Sequence, residues 1–182
     1  MTKEIIMNLE DTPFIEEIRT DLTENQKGRF IVITGPPGES KSYTAIRLLE
    51  KISDNFSVDN IAIGKGSEFV KLLKSAMNNK FKNGEGLLFD EGGVGIPNRE
   101  WMFAQNRIMS LLMQTIRKLG LCIIFTVPAK RMIDIHGQIL MKNYGLAHYI
   151  DRKAKRSIFS FYEIKYDDWM DMTTRHLLRD NE

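Results

Sequence analysis

Apolar residues recur along this chain in two rhythms, and the alternation between them lays out the elements. In "TPFIEEIRTDL" Phe14, Ile18 and Leu22 return at helical spacing, Thr12 can cap and Pro13 suits a first helical position, so a helix is expected near the start. "RFIVITG" is an unbroken apolar run ending in glycine, the mark of a strand buried on both faces, and "SYTAIRLLEKI" returns to the helical period. "VDNIAIG" supplies a second strand, "SEFVKLLKSAM" a helix, and "GLLFDEGG" a third strand that ends in two carboxylates. The stretch from Arg99 to Lys118 is apolar over a wide helical face, and "LCIIFTVP" is a fourth strand with Thr126 near its end. Continuous apolar strands separated by helices predict an α/β fold, a mainly parallel sheet between helical layers. The tail changes character: "AHYIDRKAKRSIFSFYEIKY" predicts a β-hairpin around a basic turn, followed by a short helix to the C-terminus.

Length, charge and cysteine usage narrow this only a little. A chain of 182 residues with 42% hydrophobic content fits one core, hence a single domain over 1–182. Within it we distinguish an acidic helical segment (1–28), a core (29–150) and the hairpin with its helix (151–182). The net charge of +2 conceals an asymmetry, since residues 1–26 carry seven acids against Lys3 and Arg19, a balance of −5 that leaves +7 elsewhere. A basic body permits a polyanionic partner without requiring one. Cys122 has no second cysteine to pair with, reads as a small core residue, and is compatible with a reducing compartment. The most apolar segment, "LGLCIIFTVPA", is short and broken by Pro128, so neither a signal peptide nor a membrane span is expected, and a cytoplasmic location is.

Candidate chemistry concentrates in "GPPGESKS", residues 35–42. The phosphate-loop pattern G-x-x-x-x-G-K-[ST] finds Gly35, Lys41 and Ser42 in place, but Ser40 stands where the pattern has its second glycine. Backbone amides of such a turn, backed by a helix N-terminus, form a concave anion site. Gly35, Pro36, Pro37, Gly38, Glu39, Ser40, Lys41, Ser42 and Tyr43 are accordingly the expected nucleotide-binding residues, with Lys41 reaching the terminal phosphates and Ser42 on Mg²⁺. If Ser40 must take a positive φ, serine there costs about 1 kcal/mol relative to glycine. Glu39 would repel phosphates unless it points to solvent. A second pair, Asp90 and Glu91, ends the third strand: the first can hold Mg²⁺ and the second can polarise an attacking water, whereas a plain turn after a strand would need neither. Thr126 ends the next strand, on the same sheet edge if the sheet is parallel, where a polar side chain can contact the γ-phosphate or the lytic water. ATP and Mg²⁺ are the expected ligands.

Other features carry less. "GKGSEF" (64–69) lacks the third glycine of a dinucleotide fingerprint and reads as a turn before a helix. His136, His148 and His176 have no partner at metal-ligand spacing. The methionines of "MSLLMQ" read as core, and Trp101 as a core anchor or an interface residue. Arg152, Lys153, Lys155 and Arg156 crowd the hairpin turn, where they could meet nucleic-acid phosphates or simply be solvated.

The phosphate loop, "LLFDEGGVG", and "RKLGLCIIFTVP" followed by "IDIHGQIL" together resemble the ATPase cores of the HerA–FtsK group, in particular small archaeal and viral members that include genome-packaging ATPases and zonula-occludens-toxin-like proteins. The resemblance covers roughly residues 29–150. It implies a P-loop NTPase fold with an extra strand between the phosphate-loop strand and the acidic strand, and Thr126 matches the γ-phosphate sensor at that strand's tip. The group's usual glutamine after the sensor is absent, Val127 standing there. Also implied are homo-oligomeric rings, commonly hexamers, threading DNA, a capsid or portal partner, and a host-cytoplasmic or virion-associated setting. An arginine from a neighbouring subunit would complete the site, and Arg117 is its first candidate, followed by Arg99 and Arg131. Two other readings stay open: a nucleotide-binding regulatory or assembly protein with little turnover, and a toxin-like morphogenesis factor.

Overall fold

The computed structural model describes residues 13–78, 80–91, 108, 111–112, 119–133, 135–151, 153, 156–167 and 172–177. Helix α1 (Pro13–Thr23) leads into strand β1 (Arg29–Thr34), helix α2 (Lys41–Ile52), strand β2 (Ile61–Ile63) and helix α3 (Gly66–Met77). Strands β3 (Gly86–Asp90), β4 (Cys122–Val127), β5 (Asn143–Asp151), β6 (Arg156–Asp167) and β7 (Met172–Leu177) follow, with a short helix at Ile135–Leu140 ahead of β5. All seven strands form one sheet in the order β2-β3-β4-β1-β5-β6-β7. From β2 to β5 neighbouring strands run parallel, and β6 and β7 add on antiparallel.

Strand β1 occupies the centre of this order, and every one of its residues is buried. Its side chains alternate between two cores: Phe30 and Val32 pack with Phe69 and Leu73 of α3 and with Phe89 and Phe125, whereas Ile31 and Ile33 pack under α1 and α2. Period-two alternation therefore places an apolar side chain in each layer from a single run, which explains why these strands read as continuous rather than alternating. On the α3 side the ring of Phe69 stacks on Phe89 with centroids 4.7 Å apart, and Phe125 meets both edge-on. Cys122 lies in the other core, where burial pushes its thiol up to about 12 and keeps it protonated.

One charged residue opens the central strand. The guanidinium of Arg29 is only 6% exposed and is met by Asp21 at 2.6 Å, by Glu17, and by the Asn143 side-chain oxygen at 3.2 Å. It thereby joins α1, β1 and β5. Burial would raise the Asp21 carboxyl, but hydrogen bonding from Asn25 and the charge and hydrogen bond of Arg29 hold it below its ordinary value.

Two expectations are affected by the tail. The hairpin is present, β5 pairing with β6 from Asn143–Glu163 to Asp151–Arg156. The helix expected after it is replaced, over Met172–Leu177, by strand β7 on the outer edge of β6. Adjacent threonines, Thr173 and Thr174, lose χ1 freedom in a helix but suit an extended strand, and the unpaired edge of β6 offers a ladder that a short isolated helix lacks. The helix predicted from Arg99 to Lys118, with Trp101, lies almost wholly outside the described residues. Of it, Ile108 and Leu112 are buried against the α3-side core.

Candidate phosphate-binding site

The loop expected to bind phosphate joins the central strand to α2, so it leaves the sheet at the C-terminal ends of the parallel strands. Gly35 starts it at φ 151°, where a Cβ would lie 2.7 Å from Cβ of Ala147 and 2.8 Å from its carbonyl oxygen. Only glycine lets β5 come this close. Gly38, at φ 82°, faces open space and is selected by its backbone conformation alone. Ser40 is left-handed, at φ 51° and ψ 25°, so the position does require the conformation for which the phosphate-loop pattern uses glycine. Its carbonyl accepts the Thr44 amide at 2.9 Å, making it the N-cap of α2. Its hydroxyl does not cap the helix but pairs with the Ser157 hydroxyl of β6. With no side-chain cap, the first-turn amides of α2 are directed at whatever anion enters the loop.

Lys41 folds back over this turn and donates to the Pro36 carbonyl at 2.7 Å. Its ammonium is held below its ordinary value by burial, against the opposing pull of Asp90, Glu91 and Glu39. The lysine is thus bonded within the loop and feels the charge of both strand-end carboxylates. Ser42 is half-buried at the start of α2, whereas Tyr43 is 62% exposed beside it.

The register brings the acidic pair and the threonine into one unit. Phe89 pairs with Phe125 and Ile33 with Thr126, so Asp90 and Thr126 end adjacent strands at the same level, next to the strand that feeds the loop. The fully buried Thr126 hydroxyl donates to Asp90 Oδ1 at 2.5 Å and accepts the Glu91 amide at 2.9 Å. One hydroxyl therefore orients one carboxylate and anchors the backbone of the other. Glu91 takes φ 53°, a conformation costing a non-glycine residue about 1 kcal/mol or more, and its side chain is exposed. The extra strand between the phosphate-loop strand and the acidic strand is β4.

The donor set fits Mg²⁺. Ser42 and Asp90 supply hard oxygens, and among the described residues no three His, Cys, Asp or Glu side chains cluster as a self-sufficient metal cage. Few protein oxygens, with phosphates and water making up the shell, is the usual arrangement for this ion.

Of the arginines considered, Arg117 and Arg99 fall outside the described residues, and Arg131 is exposed in the 3₁₀ turn Lys130–Met132 that follows β4. His148 is exposed and bonds Ser160 at 2.8 Å, while the side chains of His136 and His176 lie outside the described set. Two contributors escaped sequence reasoning, Ala147 at the start of the loop and Ser157 at its end. Both reach it only through the fold of the hairpin, and neither belongs to a local motif.

No protein-family model matches the sequence, and no curated protein matches it. Solved structures do resemble it in fold. The chain is similar to the ATPase DotB of Legionella pneumophila, with a TM-score of 0.50 and 10% identity over 90% of this chain and 51% of that one. It is similar also to a DNA polymerase III gamma subunit-related protein of Thermotoga maritima, with a TM-score of 0.51 and 8% identity over 76% of this chain and 47% of that one. The N-terminal domain of the zonular occludens toxin of Neisseria meningitidis is matched at a TM-score of 0.48 and 14% identity, over 86% of this chain and 96% of that one. The chain spans about half the length of the first two. With the loop, the acidic strand and the intervening strand in place, the fold is that of the P-loop NTPases, an α/β fold with a mainly parallel sheet between helices.

Proposed function

We propose that this protein is an Mg²⁺-dependent ATPase, and that its turnover drives movement or packaging of DNA. The observation that carries the enzymatic reading is the Thr126 hydroxyl bonded to both Asp90 and the Glu91 amide, at the strand ends beside the strand that feeds the loop. A site built only to hold a nucleotide needs the loop and the lysine; a second, separately oriented carboxylate has a use when water must be deprotonated or aligned. The loop amides and Lys41 bind the phosphates and stabilise the charge that develops on the γ-phosphoryl group and its leaving oxygen. Glu91 orients the attacking water in line with that bond. Ser42 and Asp90 would hold Mg²⁺, which when bound neutralises phosphate charge and fixes the geometry of the triphosphate. Thr126 keeps Asp90 and Glu91 in register and lies next to the expected γ-phosphate position.

DNA as the object of this work rests on the HerA–FtsK resemblance and on the basic turn between β5 and β6, where Lys153 is exposed. A ring of identical subunits, a capsid or portal partner and a cytoplasmic or virion-associated setting belong to the same reading. Among the described residues no helix is long and apolar enough to cross a membrane. One observation favours the regulatory alternative: Ser40 occupies a glycine conformation in the loop, which would lower affinity or turnover if nothing offset the strain.

Steady-state hydrolysis, measured with and without DNA beside calorimetric binding of ATP, separates these readings. Lys41→Ala is expected to lose ATP binding, and Glu91→Gln to bind ATP but fall at least about 100-fold in turnover, because its amide cannot serve as a base. Wild-type turnover no higher than that of Glu91→Gln would leave the regulatory reading in place.

A further inference from the structure

We propose that Ser157 is a positioning residue for the phosphate loop, holding Ser40 in the left-handed conformation in which the loop presents its amides; the proposal rests on the nucleotide reading above. Serine enters this region against the steric demand of its Cβ, where glycine meets no such demand. An N-cap serine ordinarily sits in extended backbone and turns its hydroxyl onto the amides of the first helical turn. Ser40 does neither: its backbone is left-handed, it makes no capping bond, and its Oγ is paired with Ser157 Oγ, 117 residues further along the chain.

Both hydroxyls are partly buried, so the bond is sheltered from competition with bulk water. Ser157 is the more fixed of the two, because its strand is bound into the sheet where it faces Ile150 of β5. The loop therefore follows Ser157, and not the reverse. Drawing the Ser40 hydroxyl sideways has a second effect. It withholds from the α2 amides the N-cap hydroxyl that would otherwise compete with a phosphate oxygen.

The same hairpin bears on the other end of the loop, where Ala147 of β5 abuts Gly35 so closely that no Cβ fits between them. Ala147 faces Phe159 in the ladder, two positions beyond Ser157 on β6. The loop is thus gripped at both ends by one antiparallel hairpin, itself fastened to β1 through β5. The missing glycine is compensated by a tether that a glycine-containing loop would not need.

The test compares wild type with Ser157→Ala, Ser157→Thr, Ser40→Gly and the Ser40→Gly/Ser157→Ala double variant. Two quantities are read: the dissociation constant for Mg·ATP by calorimetry, and amide hydrogen exchange over residues 38–41 in nucleotide-free protein. With Ser40 present, Ser157→Ala is expected to weaken binding roughly five-fold and to speed loop exchange, as loss of one hydrogen bond implies. Ser157→Thr, which keeps the hydroxyl, should remain within about two-fold of wild type. In the Ser40→Gly background, Ser157→Ala should change affinity by less than about two-fold, since glycine holds the conformation unaided. Equal losses in both backgrounds would make Ser157 an ordinary part of the strand and overturn the proposal, as would unchanged affinity and exchange in Ser157→Ala. Faster loop exchange in Ser157→Ala, in a protein whose wild type binds no ATP, would uphold the tether and sink the nucleotide reading instead. Tight wild-type binding unaltered by Ser157→Ala would do the opposite.

Discussion

At the scale of single residues, Lys41 has the property that a phosphate ligand would change most. Burial lowers its affinity for the proton and the neighbouring Asp90, Glu91 and Glu39 only partly restore it. A triphosphate brings further negative charge to the ammonium, so ATP binding should raise the lysine's pKa and be linked to proton uptake. The sign follows directly: affinity for ATP is highest where Lys41 is already charged in the free protein, and declines as pH rises through its free-protein value, which lies below 10.5. Calorimetry in buffers of different ionisation enthalpy, at rising pH, checks this through the number of protons taken up. A number that stays at zero up to about pH 10 would detach Lys41 from the phosphates. Much of the candidate site was legible beforehand, since Gly35, Lys41, Ser42, Asp90 and Glu91 belong to two short patterns whose spacing is local. The left-handed backbone that the sequence raised only as a condition at Ser40 is present. That Thr126 serves both acids through one hydroxyl was not legible, because a hydrogen bond across two strands depends on register.

At the scale of elements, the ion pairs at the foot of β1 and the basic turn of the β5–β6 hairpin invite separate tests. Burial alone would raise the Asp21 carboxyl, yet Asn25 and Arg29 outweigh it and hold the group below its ordinary value of 3.8. A carboxyl whose folded pKa is depressed contributes stability that is complete above its unfolded value and is lost as pH falls through the folded one. Acid unfolding of the wild type should therefore include an Asp21 contribution below about pH 4, absent in Asp21→Asn. Chemical denaturation at about pH 7 and about pH 3 measures it. Arg29→Met should cost about 1–3 kcal/mol at neutral pH, less than stranding a fully buried charge, because Glu17, 56% exposed, can return to water. For the hairpin, replacing Arg152, Lys153, Lys155 and Arg156 with neutral residues should flatten the dependence of DNA affinity on salt, by a slope of about 0.7–0.9 for each phosphate no longer neutralised. An unchanged slope would make the cluster a solvated turn. The strands and helices of the core were legible because their apolar periods are long and unmixed, whereas β7 was not, because a six-residue segment becomes a strand only when an edge is available to receive it.

At the scale of the whole molecule, the proposed site draws its loop, metal ligands and strand-end acids from one subunit, and the HerA–FtsK resemblance implies one further cation, from a neighbour. If a neighbouring subunit supplies it through Arg117, then Arg117→Ala and Glu91→Gln proteins, each inactive alone, should recover part of wild-type turnover when mixed, since some interfaces would combine an intact arginine with an intact glutamate. Full activity in Arg117→Ala alone, or no recovery in assemblies shown to be mixed, would pass the role to Arg99. The sequence by itself determined the α/β class, the order of strands β1 to β4 and the candidate residues for phosphate and metal, since each is encoded within a window no longer than one element and its loop. Tertiary structure alone decided what those residues touch. It set the register of β4 against β3 so that Thr126 meets Asp90 and Glu91, and it brought Ala147 and Ser157 to the two ends of a loop more than a hundred positions earlier. The physical reason is that strand pairing and register are settled by packing both faces of the sheet at once, and no local pattern carries that information.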